Sequence, residues 1–367
     1  MMRIAYDHQI FGWQRYGGIS RYFFELATNI AHAKTEEVAI ISPLYVNSYL
    51  SSAPIDFPIM GREVPAIKRS GRIYRAINNF LAPPMLKRFR PDVVHETYYS
   101  KRGLAPSKSK VVLTVFDMIH ERFPESFPRW DATAKEKAAA VERADHIICI
   151  SENTRQDLIQ ILGVRSDKTS VVHLGFTLTA TAGAAPSARA RPFLLYVGSR
   201  GGYKNFDMLL RVYGEQPTLR NEFDLVAFGG GTFSLQERTH MERFGLSSPQ
   251  VQQIGGDDSV LAGLYSTATL FVFPSLYEGF GIPPLEAMSF DCPVVCSNSS
   301  SIPEVVGDAA VLFDPASTEA LGEALMKVAG DMSLRQALVA RGRERIKMFS
   351  WQRCAKQTLD VYRSVLS

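Results

Sequence analysis

The chain has 367 residues, of which 46% are hydrophobic and 21% are charged, a balance typical of a folded globular protein rather than a disordered one. It contains no run approaching the roughly 18 apolar residues of a membrane span, and Asp7 lies where a signal peptide would need an apolar core. The four cysteines, Cys149, Cys292, Cys296 and Cys354, form no C-x-x-C pair and favour reduced thiols in a cytoplasmic protein. Secreted, disulfide-stapled and integral-membrane classes are therefore disfavoured.

The net charge of +4 is unevenly distributed along the chain. Residues 1–190 hold 25 Lys and Arg against 18 Asp and Glu, a net charge of +7. Residues 191–367 hold 16 against 19, a net charge of −3. Halves of opposite sign suggest different partners, with the basic half facing an anionic one.

Strand and helix patterns alternate along the whole chain. Six strands are predicted in the first half, at residues 2–6, 38–42, 92–95, 110–115, 146–150 and 170–173. Six more are predicted in the second half, at 193–197, 223–228, 251–254, 270–273, 293–297 and 310–313. This alternation favours βαβ units with parallel sheets, and therefore an α/β fold.

The composition changes between the two halves. Residues 177–192 are rich in Ala, Thr and Pro without an apolar period, so we interpret them as a linker. The expected domains are residues 1–176 and 193–349, followed by a helix at 350–367 that carries an apolar stripe. Because ligands of open α/β sheets bind at the carboxyl ends of the strands, the loops that follow the strands are the candidate sites.

A basic stretch occupies residues 62–90, where eight Lys and Arg stand against one acid, Glu63. Apolar residues interleave with these charges at helical spacing: Ile73, Tyr74, Ile77, Phe80 and Leu81. Such a segment suits an anionic membrane surface, with its apolar face inserted. The alternative is a helix packed on the sheet with a solvated basic face. Nucleic acid is not expected, since no DNA- or RNA-binding motif accompanies the charge.

The segment FPSLYEGFGIPPLE, residues 273–286, follows a predicted strand and leads into a helix that begins near two prolines. It places Glu278 in the loop and Glu286 in the first helical turn. The helix start suits an anion such as phosphate, and carboxylates suit sugar hydroxyls. Together they indicate a ligand that contains both phosphate and polyol.

A second Gly-rich loop, YVGSRGGYKN at residues 196–205, carries Arg200 and Lys204 four residues apart. A planar guanidinium and a compact ammonium at this spacing suit a diphosphate. The alternative from this segment alone is a solvated basic loop.

The string EGFGIPPLE resembles the E-x7-E motif of retaining glycosyltransferase family 4. Residues 292–315 and 196–205 are also similar to that family, and the resemblance is tight over about 193–315 and looser over the N-terminal half. It implies the GT-B fold, two Rossmann-like domains that face each other across a cleft, with the C-terminal helix returning to the N-terminal domain.

The resemblance also implies roles for individual residues in binding a nucleotide-sugar donor. Glu278 would bind the transferred sugar and Glu286 the ribose, while Arg200 and Lys204 would neutralise the diphosphate. The remaining donor-side residues would contribute mainly backbone groups: Phe280, Gly281 and Ile282 toward sugar or phosphate, Ile254 toward the base, and Gly17 and Gly18 toward phosphate and acceptor.

Candidate acceptor-side residues lie in the first half. Many members of the family carry His-Asp where this chain has Phe116-Asp117, so Asp117 or His120 is expected to contact sugar or help to deprotonate an acceptor. The alternative is an Asp that caps a loop beside an exposed His. His95 and Glu96, at the end of another predicted strand, are further acceptor-side candidates.

No metal site or cofactor is expected, because the sequence has no D-x-D triplet and its seven histidines are scattered. We predict a retaining transferase that moves a hexose, with mannose or a related deoxyhexose favoured, from a nucleotide-diphosphate donor. The donor is expected to be GDP-linked, and the acceptor a glycan or a lipid-linked acceptor of bacterial surface polysaccharide synthesis at the inner face of the membrane. The alternatives are a nucleotide-sugar epimerase of the same fold and a non-catalytic sugar-nucleotide binder.

Overall fold

The computed structural model describes residues 1–54, 56–67, 70–177, 189 and 191–367. Most of the predicted linker at 177–192 lies outside these described residues. The chain divides into two compact units. The first contains Met1–Gly175 together with Trp351–Ser367, and the second contains Phe176–Ser350.

In the described part of the first unit, seven parallel strands form one sheet. The strands are β1 (Arg3–Tyr6), β2 (Glu37–Tyr45), β3 (Ile59–Glu63), β4 (Val93–Glu96), β5 (Lys110–Val115), β6 (His146–Cys149) and β7 (Thr169–Val171). Their order is β3-β2-β1-β4-β5-β6-β7. The sequence did not predict β3, because this edge strand reads IMGRE and exposes much of its length to solvent.

Helices cover both faces of this sheet. They are α1 (Gly18–Ala33), α2 (Ser48–Ser51), α3 (Gly71–Phe89), α4 (Ile119–Arg122), α5 (Thr133–Arg143) and α6 (Glu152–Leu162). Short 3₁₀ turns lie at Pro124–Ser126 and Ser166–Lys168. On one face, α3 buries Ala82, Leu86 and Phe89 against Ala5 and Val94 of the strands.

The second unit has six parallel strands among its described residues. They are β8 (Phe193–Val197), β9 (Asp224–Phe228), β10 (Val251–Ile254), β11 (Leu270–Phe273), β12 (Val294–Ser297) and β13 (Ala310–Phe313). All six were predicted, because each reads as a short apolar run with turn residues on both sides. The sheet order is β10-β9-β8-β11-β12-β13.

The helices of the second unit include a short one that follows the E-x7-E loop. They are α7 (Phe206–Glu215), α8 (Pro217–Glu222), α9 (Leu235–Arg243), α10 (Asp258–Thr267), α11 (Ile282–Ser289), α12 (Ile302–Val306), α13 (Thr318–Gly330) and α14 (Met332–Ile346), with a 3₁₀ turn at Gly202–Lys204. Among the described residues, no helix is both long and apolar enough to cross a bilayer.

The last helix, α15 (Trp351–Leu366), belongs to the first unit rather than the second. It packs beside α1 and β5 and buries one stripe, whose members are Trp351, Cys354, Ala355, Thr358, Leu359, Val361 and Tyr362. The predicted return of this helix to the N-terminal domain is therefore confirmed.

Both sheets reverse the direction of strand addition once. The reversal lies between β1 and β4 in the first unit and between β8 and β11 in the second. At such a point the loops that follow the two central strands diverge and leave a crevice at the carboxyl edge, where ligands of this architecture bind.

Candidate functional site

The loops after β8 and β11 meet at the reversal point of the second sheet. Lys204 Nζ lies 2.7 Å from Glu278 Oε1, although 74 residues separate them. The backbone joins the same loops, because Leu276 N–H donates to the Tyr203 carbonyl at 2.7 Å. The Asn205 amide adds a bond to the Pro274 carbonyl at 3.2 Å. The structure therefore brings Lys204 and Glu278, which the sequence placed in separate motifs, into one site.

A run of serines holds the Glu278 loop in place. The Glu278 N–H donates to Ser300 Oγ at 2.9 Å. Ser301 Oγ lies 2.8 Å from the Glu278 carbonyl oxygen and 2.9 Å from that of Phe280. Ser301 is fully buried, so these bonds are shielded from water. This role was not predicted, and its only signal in the sequence is the SNSSS run at 297–301.

Helix α11 begins directly after this loop. Gly281 precedes it with φ 112°, a left-handed conformation that favours glycine, and Pro283 and Pro284 supply no N–H. Within the described residues, the N–H groups of Gly281 and Ile282 have no hydrogen-bond acceptor. The helix start thus offers backbone donors to an anion. Glu286 follows in the same helix, with Oε2 3.5 Å from the Tyr265 hydroxyl.

Arg200 is engaged within the protein. Its Nε donates to Glu237 Oε1 at 2.5 Å, and its two terminal nitrogens donate to the carbonyls of Gly229, Gly231 and Thr232 at 2.8–3.1 Å. The side chain is only 4% exposed. The predicted bond from Arg200 to a diphosphate would require some of these hydrogen bonds to break. The observed geometry instead makes Arg200 a support for the loop after β9.

The loop after β9 contains three consecutive glycines that were not among the predicted site residues. Gly229, Gly230 and Gly231 all have positive φ, at 84°, 68° and 71°. Gly229 N–H donates to the carbonyl of Ile254 at 2.9 Å. The predicted base-side residue Ile254 therefore lies at the end of β10, beside the loop that Arg200 supports.

The Gly-Gly pair of the first unit lies at the start of α1. Gln14 Oε1 accepts from the Ser20 N–H at 3.1 Å and thereby caps the helix. A Cβ on Gly17 would come within 2.3 Å of the Gln14 side chain, whereas one on Gly18 would meet open space. A side chain at position 17 would therefore displace the Gln14 side chain from Ser20, and Gly18 borders unfilled space.

Asp117 and His120 lie on either side of the start of α4. Asp117 Oδ1 accepts from Ile119 N–H at 3.0 Å, the capping role that the sequence left open as an alternative. The Asp117 carbonyl and Glu121 Oε2 both accept from the buried Lys137 ammonium at 2.8 Å. The His120 ring stacks on Phe127 with centroids 3.9 Å apart. Burial, reinforced by Lys137, lowers the pKa of His120, so its ring is neutral near pH 7.

His95 does not fit the predicted acceptor-side role. Its ring is completely buried, with Nδ1 2.5 Å from the Tyr362 hydroxyl and Nε2 2.8 Å from Thr114 Oγ1. Burial lowers the pKa of His95 to about 3. The side chain joins β4 to β5 and α15, so it supports the core of the first unit and cannot reach an acceptor.

Glu96 does not fit the predicted acceptor-side role either. Only 1% of its side chain is exposed, and both carboxylate oxygens are bound by Arg143, at 3.1 and 2.7 Å. Burial raises the pKa of Glu96 to about 7, and Arg143 opposes that rise. Neither oxygen is available to a ligand in this arrangement.

No group of three or more His, Cys, Asp or Glu side chains that could hold a metal ion occurs in the described part of the chain. At the second-unit site, the charged side chains are Lys204, Glu278 and Glu286, beside the backbone N–H groups at the start of α11.

Two family models match the chain one after the other. The model for Glycosyltransferase Family 4 matches residues 16–179, and the model for Glycosyl transferases group 1 matches residues 183–345.

Curated relatives include two mannosyltransferases of Escherichia coli. O-antigen chain mannosyltransferase B is 27% identical over 371 residues, which cover 94% of this chain and 96% of that protein. Serotype-specific mannosyltransferase WbdA is 31% identical over 245 residues, covering 63% of this chain and 30% of WbdA. The match to WbdA thus spans less than a third of that protein's length.

Solved structures share the fold over nearly the whole chain. Sucrose-phosphate synthase from Thermosynechococcus elongatus superposes with a TM-score of 0.76 at 20% identity, covering 99% of each chain. Anabaena Alr3699/HepE in complex with UDP and glucose gives a TM-score of 0.71 at 17% identity, covering 99% of this chain and 100% of that one.

Proposed function

Because the chain belongs to glycosyltransferase family 4, with the two Rossmann-like units of the GT-B fold, we propose that it is a retaining hexosyltransferase that uses a nucleotide-diphosphate sugar. The observation that carries this proposal is the contact between Lys204 and Glu278 beside the start of α11. A cation, a carboxylate and free backbone donors then lie together at the reversal point of the second sheet, where a ligand of this architecture binds.

Each part of that site suits one part of the donor. The Lys204 ammonium and the N–H groups of Gly281 and Ile282 suit the diphosphate. The carboxylate of Glu278 accepts hydrogen bonds from the sugar, and that of Glu286 accepts them from the ribose. The second half of the chain has a net charge of −3, so anion binding there depends on these few placed donors.

In the proposed reaction, the bond from C1 of the sugar to the leaving diphosphate breaks while a bond to the acceptor oxygen forms on the same face. The proton of the acceptor hydroxyl passes to the leaving phosphate oxygen. Lys204 and the start of α11 stabilise the charge that develops on the diphosphate, without requiring a metal ion. Glu278 orients the sugar.

We favour a GDP-linked mannose, or a related GDP-deoxyhexose, as the donor. The support is that both E. coli relatives are mannosyltransferases. A UDP-linked donor is the main alternative, because the fold neighbour HepE is solved with UDP and glucose. The first of those relatives acts on an O-antigen chain, which supports a glycan or lipid-linked acceptor in surface polysaccharide synthesis.

A nucleotide panel tests the donor, and matched variants test the site. GDP, rather than UDP, dTDP or ADP, should raise the melting temperature, because binding at 100 times Kd stabilises the native state by about 2.7 kcal/mol. Glu278→Gln and Lys204→Met should each lower kcat/KM for transfer at least 100-fold, about 2.7 kcal/mol. Glu323→Gln, a change of an exposed carboxylate on α13, is the control and should have no effect.

Other outcomes would identify the alternative functions. Interconversion of the donor sugar without transfer to an acceptor would indicate an epimerase. Nucleotide-sugar binding without any turnover in the parent protein would indicate a non-catalytic binder. Unchanged transfer by Glu278→Gln would remove this residue from the mechanism.

We also propose that α3 contacts an anionic membrane surface. The helix packs through Ala82, Leu86 and Phe89, whereas the opposite stripe of Ile73, Ile77 and Phe80 is exposed, Phe80 by 79%. Exposed cations lie on the same helix and at its C-cap: Arg72, Arg75, Lys87, Arg88 and Arg90. Lys68 and Arg69 of the basic stretch lie outside the described residues. Apolar side chains beside cations favour insertion at anionic headgroups.

Co-sedimentation with vesicles tests this contact. The parent should bind vesicles that contain phosphatidylglycerol but not purely zwitterionic ones, and 0.5 M salt should weaken binding. Ile73→Ser with Phe80→Ser should abolish binding, whereas Leu235→Ser, a change of an exposed leucine in the second unit, should not. Equal binding to both vesicle types, or by the double variant, would contradict the proposal.

A further inference from the structure

The loop that carries Glu278 packs against the last residues of the second unit. The centroid of the Phe280 ring lies 5.6 Å from that of the Phe349 ring, and the two planes meet at 80°. Both residues are buried, with 3% and 4% of their surfaces exposed. Edge-to-face pairs at this separation attract each other beyond the effect of the apolar area that they bury. The ring of Phe280 is therefore held by a residue from the far end of the unit.

Arg345 connects Phe349 to helix α12. Its guanidinium carbon lies 5.3 Å from the centroid of the Phe349 ring, within the range of a cation–π contact. Its Nε donates to the Val305 carbonyl at 2.8 Å, and a terminal nitrogen donates to the Glu304 carbonyl. Both carbonyls belong to the C-terminal turn of α12, where a helix has no acceptors of its own to offer partners. Arg345 thus fixes the end of α12 relative to the Phe349 ring.

The start of α12 closes this set of contacts. Ser301, the residue directly before α12, places its Oγ 2.9 Å from the Phe280 carbonyl oxygen. Phe280 is therefore held on two sides, through its backbone by Ser301 and through its ring by Phe349. Arg345 joins these two supports to each other. We call Phe280, Ser301, Arg345 and Phe349 the supporting cluster.

The supporting cluster determines where the backbone donors of the site point. Phe280 directly precedes Gly281 and Ile282, whose N–H groups the proposed function assigns to the diphosphate. A shift of Phe280 moves these neighbouring peptide groups with it, and hydrogen bonds weaken steeply when their angle or length departs from the optimum. The expected base-side residue Ile254 lies on a different loop, at the end of β10. A disturbed cluster should therefore weaken binding of the diphosphate more than binding of the nucleoside.

We propose that Phe349 and Arg345 are positioning residues for the donor diphosphate, acting through Phe280 on the N–H groups at the start of α11. The inference rests on the proposed function and deepens it, because it makes the last residues of the second unit part of the donor site. Phe349 is followed by Ser350, and the chain then enters the first unit at Trp351. The contact with Phe280 therefore connects occupancy of the diphosphate site to the segment where the chain leaves the second unit.

Separate affinities for the diphosphate and the nucleoside test this role. Displacement of a fluorescent GDP analogue would give Kd for GDP and for guanosine, with UDP and uridine in their place if the nucleotide panel selects UDP. Phe349→Ala should weaken GDP binding at least ten-fold and guanosine binding less than two-fold, because guanosine lacks the diphosphate. Phe349→Leu retains most of the apolar volume and should weaken GDP binding less than three-fold. Arg345→Met should weaken GDP binding at least three-fold with the same selectivity.

A matched control and a measurement on the parent separate positioning from general stability. Phe223 is a buried core residue directly before β9, at the sheet edge opposite to the donor site. Phe223→Ala should lower the melting temperature but leave the ratio of the guanosine Kd to the GDP Kd unchanged. In the parent, GDP should slow amide hydrogen exchange of residues 346–350 at least five-fold, whereas guanosine should not.

Equal weakening of GDP and guanosine binding in Phe349→Ala would show a merely structural role and overturn the inference. Unchanged GDP affinity in that variant would overturn it as well, and so would a GDP-selective loss in Phe223→Ala or unaltered exchange at 346–350 on GDP binding. These results leave the proposed function standing, because the parent still binds the nucleotide and transfers sugar. Conversely, selective loss of GDP binding in Phe349→Ala, in a protein that transfers no sugar, would support the positioning role and refute the transferase.

Discussion

Arg200 and Glu237 form a buried ion pair whose loss should appear in stability rather than in donor binding alone. Removing the guanidinium leaves Glu237 without its charge partner and leaves the carbonyls of Gly229 and Gly231 without these donors. Breaking such a pair costs about 3–5 kcal/mol. We expect Arg200→Met to lower the free energy of unfolding of the second unit by that amount in urea titrations.

The matched control for this change is Arg211→Met, which breaks an exposed pair with Glu215. Exposed pairs contribute about 0–1 kcal/mol, so the control should change stability little. Full stability in Arg200→Met together with lost nucleotide binding would instead support the direct phosphate contact that the sequence predicted.

His95 should make the stability of the first unit depend on pH. Its folded-state pKa of about 3 lies below the ordinary value of 6.5, so the unfolded chain binds the proton more readily. The stabilising contribution of the neutral ring is therefore fully present well above pH 6.5 and is lost as the pH drops toward 3. Between pH 7.5 and 5.0 this contribution should fall by about 2 kcal/mol, whereas the raised pKa of Glu96 acts in the opposite direction in parent and variant alike.

Comparison with His95→Asn isolates this contribution. The variant removes the titrating ring, so its unfolding free energy should fall by about 2 kcal/mol less than that of the parent over the same pH interval. Identical pH profiles for the two proteins would show that His95 is not the titrating group.

Some functional residues could be identified from the sequence, and others could not. Lys204 and Glu278 each lie in a loop with its own motif, so both could be identified before their contact was known. His95 and Glu96 were misassigned because the sequence shows only that they end a strand. The hydroxyl that His95 contacts belongs to Tyr362, 267 residues away, and no local pattern reveals such a partner.

At the scale of elements, the loop that carries Glu278 depends on the strand-to-helix connection after β12. Ser301 contacts two carbonyls of that loop from a fully buried position. Ser301→Ala should leave those carbonyls less satisfied, at a cost of about 1–3 kcal/mol. It should also lower the transfer rate at least ten-fold, because Glu278 is then less firmly positioned.

Steady-state kinetics and thermal melting would measure these two effects on Ser301→Ala. Ser266→Ala is the control, because Ser266 is exposed and its hydroxyl donates to the Ala262 carbonyl of its own helix. A transfer rate equal to that of the parent would show that the loop keeps its geometry without Ser301.

The positions of the strands were easier to predict than which face of a helix is buried. Buried strands of a parallel sheet are short apolar runs, and twelve of the strands found in the described residues were predicted with ends within a few positions. The edge strand β3 lacks that signal. Along α3, the periodicity indicated an apolar stripe, but hydropathy alone did not show that Ala82 and Leu86 face the sheet while Ile73 and Phe80 face solvent.

At the scale of the whole molecule, the first unit needs the C-terminal end of the chain. Helix α15 buries seven residues in it and supplies the Tyr362 hydroxyl that contacts His95. Deleting residues 351–367 should therefore abolish the cooperative unfolding of the first unit. The second unit should still be stabilised by nucleotide, because its described residues end at Ser350.

Limited proteolysis with thermal melting would check this prediction. The truncated chain should yield a protease-resistant fragment that contains the second unit, while the first unit is digested. Deleting only residues 364–367, which are mostly exposed, should have little effect. A first unit that resists protease without α15 would contradict the prediction.

Alternation of strands and helices was enough to predict two parallel sheets, but not the order of their strands. The resemblance of EGFGIPPLE to a known family implied two Rossmann-like domains, and the strand order within each sheet was seen only in the structure. A cavity of about 1120 Å³ in the first unit, lined by Trp13 and His120 among others, was predicted only through His120, because the rest of its wall collects residues from loops far apart in the sequence.

The return of α15 to the first unit also constrains the order in which the two units can fold during synthesis on the ribosome. The second unit, Phe176–Ser350, is synthesised between the two parts of the first. At about 5–20 residues per second, its 175 residues take about 9–35 s to translate. Throughout that interval the nascent first sheet lacks its last helix, and α1 lacks its contacts with α15. Chaperones that shield such faces would have their longest opportunity here, and the second unit can complete its folding before the first.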